Sequence, residues 1–260
     1  MPDHLSYSQI SLYLECPLLY KLRYVEGEKG EATPAALVFG GAIHKALAGF
    51  YTEVMDGGEL FSLAAFLGAF EEAWSDAVEE REIIYKEAED FDSLLELGKE
   101  MLKVFSRSVM PQKVIAVEVS FEFRLEHPKT GEDSSVPLKG VIDLIEEDEN
   151  GTLWVVDHKT AGRAYSEQQI AGDLQMLIYA AAVKQLDVVD GRDVMLRFDV
   201  LTKSKRPKFL RYPMYRDDHD IARLFEIVEG VWQAIEAEAF YPRCCIHTWF
   251  GRVHEECVGL

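Results

Sequence analysis

"GVIDLIEEDENGTLWVVDHKT" spans Gly140 to Thr160 and constrains the fold more than any other stretch of the chain. Two apolar runs flank "DENG", whose Asn150-Gly151 pair favours a tight hairpin. The runs are therefore expected to pair as neighbouring strands. Both carry charge where a buried strand should carry none. Asp143 interrupts "VIDLI", and Asp157 and Lys159 close "LWVVDHK". Side chains alternate across a strand, so Asp157 and Lys159 share a face with Leu153 and Val155. The same alternation puts Asp143 with Val141 and Ile145, and the hairpin brings the three charges together. Buried charges must be paired or bind a metal. Two arrangements satisfy that: a strand-end salt bridge from Lys159 to either aspartate, or a hard divalent cation between the carboxylates. In the second, Lys159 could hold an attacking water or neutralise a developing oxyanion.

Upstream of this stretch the apolar period is helical. "SYSQISLYLECP" opens with Ser6 and Gln9 at capping-box spacing and breaks at Cys16-Pro17. "ALVFGGAIHKALAGFYTEVM" reads as a helix starting around Gly40-Gly41. "SLAAFLGAFEEAWSDAVEE" and "DSLLELGKEMLKVFSRSVM" follow as two amphipathic helices. At "KVIAVEVSFEFRLE" the period drops to two, with Val117, Val119, Phe121 and Phe123 on one face. Beyond the hairpin, "SEQQIAGDLQMLIYAAAVKQL" reads as a helix. "DVMLRFDVLTK" and "PKFLRYPMY" read as a strand pair around "SKRP", and "DDHDIARLFEIVEGVWQAIEAEAF" as a helix with aspartates at its start. The expected fold class is α/β, a sheet flanked by helices within one domain over 1–260. It divides into a helical segment (1–110), a sheet core (111–215) and a C-terminal helix with its tail (216–260).

The 260 residues, 48% of them hydrophobic, suffice for a large core. No apolar run approaches the roughly 20 residues of a membrane span. "MPDHLSYSQI" lacks the basic and apolar regions of a signal peptide, so a cytoplasmic location without membrane attachment is expected. The net charge of −19 weighs against nucleic acid as a partner. That objection weakens if the acids lie away from a site. Many fall between residues 71 and 92, and others in "EEDE", which reads as a solvated turn. Against this background Lys203, Lys205, Arg206 and Lys208 gather in "LTKSKRPKF". They are either a solvated turn or phosphate contacts. Tyr20, Arg23 and Tyr24 either pack or clamp a strand end. Gln175 and Tyr179, four apart on one helical face, either belong to a half-exposed surface or border the charged strands. His44, early in its helix, is either a satisfied histidine or a ligand.

Taken together these pieces resemble the PD-(D/E)XK nuclease superfamily, and within it the RecB-like branch. That branch includes helicase-nuclease domains and CRISPR-associated exonucleases. The resemblance covers most of the chain. It rests on "SYSQISLYLECPLLYKLRY", the G-x-x-x-H of "GGAIHKALAGFY", the G-x-x-D of "LKGVIDLI", the D-x-K-T of "VVDHKT" and the Q-x-x-x-Y of "QMLIY". It implies a restriction-endonuclease-like core with a mixed central sheet. It implies an Mg²⁺- or Mn²⁺-dependent deoxyribonuclease, chiefly an exonuclease, with His44, Asp143, Asp157 and the His158 backbone carbonyl as ligands. Lys159 would position or activate the water. Gln175 and Tyr179 would orient it and touch the nucleic-acid backbone, and Glu118 would support the site. DNA ends or single strands are the implied substrate, and a helicase or another recombination or CRISPR protein the implied partner. A non-cleaving scaffold with the same fold is the contrasting reading.

Cys16, Cys244, Cys245 and Cys257 match the number and rough placement of the four cysteines that hold a 4Fe–4S cluster in many RecB-like nucleases. Their spacing departs from that pattern, because Cys244 and Cys245 are adjacent and Cys257 lies twelve residues further on. The choice stays open between a cluster, a zinc site drawing on His247 or His254, and four free thiols.

Overall fold

The computed structural model describes residues 2–243, apart from 29–31, 58–61, 110, 111, 187, 188, 190, 191 and 193. Helix α1 (Tyr7–Glu15) begins at Ser6, whose hydroxyl accepts the Gln9 N–H. It stops at Cys16, held extended ahead of Pro17 in α2 (Pro17–Tyr20). Lys21–Val25 continues as a π-helical turn. Helix α3 (Ala35–Met55) starts after Pro34 and not at the glycine pair. Burial of Val38, Phe39, Ala42 and Ile43 stabilises its first turns, so Gly40 and Gly41 are carried inside the helix. Helices α4 (Leu63–Glu79) and α5 (Phe91–Ser108) complete the first part, with a two-residue parallel pair, β1 (Thr33–Pro34) and β2 (Ile83–Ile84), beside them.

The main sheet has five strands in sequence order: β3 (Lys113–Glu126), β4 (Asp133–Glu147), β5 (Leu153–Ala161), β6 (Val194–Thr202) and β7 (Phe209–Met214). Neighbours are antiparallel except β5 and β6. That parallel pair requires a crossover, which carries α6 (Glu167–Ala171) and α7 (Leu174–Val183). Helices α1, α7 and α8 (Asp218–Glu236) cover one face around Ile145, Val155, Leu177, Phe198 and Leu224. Helices α3 and α5, backed by α4, cover the other around Phe39, Phe105, Leu144 and Val156. The result is a three-layer α/β/α fold with a mixed sheet. No helix among the described residues is long and apolar enough to cross a membrane.

Strict alternation fails at the level of Glu118 and Asp143. Ile142 and Ile145 pack in the α1/α7/α8 layer, whereas Leu144 packs in the α3/α5 layer. In β3, Val117 and Val119 likewise fall in opposite layers. Val117 pairs with Leu144 and Val119 with Ile142, so both strands change face across Glu118 and Asp143. Glu118 absorbs the switch with a φ of 48°. The expected single face for Val117 to Phe123, and for Asp143 with Ile145, is thereby corrected.

The hairpin itself forms at Asp148–Thr152. Asp148 accepts the N–H groups of Asn150 and Thr152 and the Trp154 indole N–H. The acidic run before it is not wholly solvated, however. Glu146 is 1% exposed and meets Arg197 at 2.7 Å, while Arg197 also meets Asp199 at 2.7 Å. A buried acid this close to a turn needs a buried cation, and Arg197 supplies it from two strands away.

Candidate active site

Regular pairing of β4 with β5 runs from Glu147↔Leu153 to Leu144↔Val156 and goes no further. The strands part immediately before Asp143 and Asp157. Parting leaves the His158 N–H without a β4 carbonyl, and the Asp143 carboxylate takes that place, accepting it at 2.8 Å. The same Asp143 oxygen lies 3.3 Å from His44 Nδ1 on α3 and 3.6 Å from His158 Nδ1. Burial raises the Asp143 carboxyl, but hydrogen bonds from His158 and His44 outweigh it and hold the group well below the usual carboxylate range. Burial lowers the His44 imidazole, yet the Asp143 hydrogen bond and charge leave it raised overall.

Asp157 lies on the other face of β5 and is 1% exposed. The Lys159 ammonium meets it at 2.8 Å, and the Tyr179 hydroxyl lies within its reach. Burial, with repulsion from Asp143 in support, pushes the Asp157 carboxyl up, and Lys159 opposes this. For Lys159 itself burial acts downward, but the Asp157 charge and hydrogen bond prevail and raise its pKa. Lys159 is thus a held cation.

Helix α7 fixes that cation from above. Asp173 caps the helix by accepting the Met176 N–H at 2.9 Å. One turn of helix then sets Gln175 and Tyr179 on a common face. Lys159 Nζ donates to Gln175 Oε1 at 2.6 Å, Gln175 Nε2 donates to the Tyr179 hydroxyl at 2.8 Å, and Tyr179 donates to the Val141 carbonyl. The chain of bonds ends on β4 two residues before Asp143.

The structure therefore brings together His44, Asp143, Asp157, His158, Lys159, Gln175 and Tyr179. Glu118 lines the same small cavity as His44, Tyr51, Asp143 and His158. Other predicted contacts lie elsewhere. Tyr20 is fully buried, stacked on Phe240 with centroids 6.3 Å apart, so it packs and cannot stack on a base. Arg23 is exposed on the π-helical turn, over the Tyr24 ring at 5.4 Å. Lys205, Arg206 and Lys208 are exposed on the β6–β7 turn. Lys203 folds back over the Phe39 ring at 5.9 Å, and burial lowers its pKa. Cys16 is buried at 1% exposure and has no disulfide partner among the described residues. Cys244, Cys245, Cys257, His247 and His254 lie outside the described residues. The segment leading to them docks on α1 and α2, where Leu18 N–H meets the Tyr241 carbonyl at 3.2 Å and Arg243 donates to the Leu14 carbonyl.

Sequence reasoning missed Tyr51 and Tyr165. The Tyr51 ring lies 5.5 Å from that of His158 and is 1% exposed. Its spacing seven residues after His44 on α3 was the available signal. Tyr165 stands in the loop after β5, where no periodicity marks a residue.

Comparison with solved structures found a crystal structure from Eubacterium rectale named "Putative exonuclease". It is 15% identical, covers 97% of this chain and 88% of its own, and superimposes with a TM-score of 0.58. At that identity the likeness shows the fold alone. A second crystal structure, SSO0001, is 16% identical over 85% of this chain and 86% of its own, but its TM-score of 0.31 is too low to bear on the fold. A search of curated proteins found no match. The sequence profile of the PD-(D/E)XK nuclease superfamily matches residues 4–245. That span includes every residue gathered where β4 and β5 part, and the chain belongs to the PD-(D/E)XK nuclease superfamily.

Proposed function

We propose that the chain is a divalent-metal-dependent deoxyribonuclease of the RecB-like branch, hydrolysing phosphodiester bonds at DNA ends or in single strands. The observation that carries this reading is Asp157. It is buried where β4 and β5 part, its carboxylate answered by a lysine that α7 holds in place. A purely structural aspartate there would be costly, and replacement by an apolar residue would remove the cost.

Among the described residues no three His, Cys, Asp or Glu side chains are already gathered as a metal cage. His44 answers Asp143 and Lys159 answers Asp157 instead. The donor chemistry nevertheless suits Mg²⁺ or Mn²⁺: two carboxylates, one imidazole and the His158 carbonyl, with buried Asp157 oxygens short of partners. When bound, such an ion would lower the pKa of a coordinated water and offset charge on the phosphate. The chain's own residues do the rest. Lys159, its ammonium held between Asp157 and Gln175, would serve as a fixed cation for the developing oxyanion or position the water. Gln175 and Tyr179 hold its ammonium in line. The biological setting would be recombination, repair, a phage or CRISPR-linked processing, with a helicase as a separate partner.

The test incubates end-labelled single- and double-stranded DNA with the protein and Mg²⁺ or Mn²⁺, alongside Asp157→Ala and Lys159→Ala. Cleavage by wild type alone is expected. Equal activity in all three would sink the assignment, and binding without any cleavage would favour a scaffold that keeps the nuclease fold.

A further inference from the structure

The row of side chains that contains Asp157 continues across the sheet. Asp157 pairs with Phe198 on β6, and Phe198 pairs with Tyr212 on β7. Paired residues share a face, so carboxylate, phenyl and phenol line up from the reacting centre toward the β7 edge. The Lys159 ammonium sits 5.8 Å from the Phe198 ring centroid. Tyr165, in the loop after β5, lies over this row. Its ring meets Phe198 edge-on at 5.7 Å and stacks on Tyr212 at 6.0 Å with 20° between planes. Its N–H is bonded to the Tyr212 hydroxyl at 3.2 Å, which fixes the loop over the strand.

Phe198 is buried, and Tyr165 and Tyr212, partly buried against it, each keep some surface open. The aromatic row therefore begins beside Asp157 and Lys159 and ends at solvent. Cations fringe it. Arg163 is exposed in the Tyr165 loop, and the Lys203 N–H donates to the Ala161 carbonyl at 2.7 Å. That bond joins the Tyr165 loop to the turn carrying Lys205 and Arg206. In a chain of net charge −19, stacking surface beside a local run of cations matches one ligand chemistry: unpaired bases on a phosphate backbone. A duplex keeps its bases stacked on each other and has none to offer.

We propose that Tyr165 and Tyr212 form a base-stacking platform that seats a nucleotide of a single strand next to the scissile phosphate. This deepens the nuclease reading and rests on it. The platform supplies affinity for bases of any sequence, because every base offers a flat face. Tyr165 is a binding residue here and takes no part in proton transfer.

The experiment measures binding in EDTA, so that no cleavage intervenes, using a labelled thymidine 20-mer and an abasic strand of the same length. Wild type is expected to bind the base-bearing strand about 5-fold or more tightly than the abasic one. Tyr165→Ala should erase most of that preference and leave abasic binding unchanged, whereas Tyr165→Phe should keep it. Tyr212→Ala should act in the same direction. Equal binding of both strands by wild type would overturn the proposal, and that comparison needs no variant to fold. So would a Tyr165→Ala protein, native by circular dichroism, that weakens both strands alike. Cleavage by wild type with no base preference would remove the platform and leave the nuclease. Base preference without cleavage in Mg²⁺ or Mn²⁺ would do the reverse.

Discussion

Asp143 accepts the His158 backbone N–H at 2.8 Å where the pairing of β4 with β5 has just ended. One carboxylate thus completes the sheet and also meets the His44 imidazole. The two roles separate by mutation. Asp143→Asn keeps an oxygen for the N–H but loses the charge that answers His44. Asp143→Ala leaves the N–H unpaired, which costs about 1–3 kcal/mol. Both variants are expected to lose nuclease activity. Only Asp143→Ala should also lose stability of that order, read by urea unfolding in EDTA. Equal stability of the two would remove the structural role.

The Asp157–Lys159 pair makes a second prediction. Removing one partner of a buried pair strands the other charge, which costs about 3–5 kcal/mol. The Lys159 side chain is 25% exposed, so Lys159→Met should fall near the lower end of that range. Asp157→Asn combined with Lys159→Met removes both charges and should recover most of the loss. A double-mutant cycle in metal-free buffer checks this, and additive losses would contradict the pairing. All three variants should be inactive.

Much of this was legible in the sequence, for physical reasons that differ from residue to residue. Asp157, Lys159, Gln175 and Tyr179 follow regular strand and helix periods, so their shared faces could be read directly. Asp143 does not. Its face depends on a break in alternation shared with Glu118, and a period of two cannot foresee its own interruption. Glu146 read as part of a solvated turn because its cation, Arg197, lies 51 residues away on a strand it does not pair with. Tyr20 shares its spacing with Tyr24 and Arg23, and helical spacing alone does not say which of them is covered. Phe240, from the far end of the chain, covers Tyr20.

The His44–Asp143 contact sets a pH dependence. The His44 pKa is raised in the folded protein, so the pair's contribution to stability is complete below the ordinary value of about 6.5. It is lost as pH rises through the higher folded value. Divalent-metal binding needs the neutral imidazole and works in the opposite sense. Mn²⁺ affinity by calorimetry should therefore strengthen as pH rises from about 6 to 8.5, with proton release on binding. His44→Gln should bind more weakly and flatten that slope. An unchanged slope in His44→Gln would exclude His44 as the titrating ligand.

The two motif glycines should respond in opposite ways to alanine. A Cβ on Gly40 would meet only Thr160 Oγ1 at 3.6 Å, an ordinary contact. Gly40 lies inside α3, where alanine is favoured over glycine by about 0.8–1 kcal/mol. Gly40→Ala should be neutral or mildly stabilising, with activity retained. A Cβ on Gly140 would fall 2.5 Å from Phe121 Cζ. That ring cannot simply yield, because it packs edge-on against Tyr179 at 6.0 Å. Tyr179 in turn holds Gln175, and Gln175 holds Lys159. Gly140→Ala should cost about 1–3 kcal/mol from overpacking. It should also lower kcat with little change in KM, since the displaced chain ends on the lysine and not on the substrate's binding surface. Phe121→Leu, introduced with Gly140→Ala to make room for the new methyl group, should restore part of the lost stability. If Gly140→Ala alone keeps full activity and stability, Phe121 is not the link between β4 and the lysine.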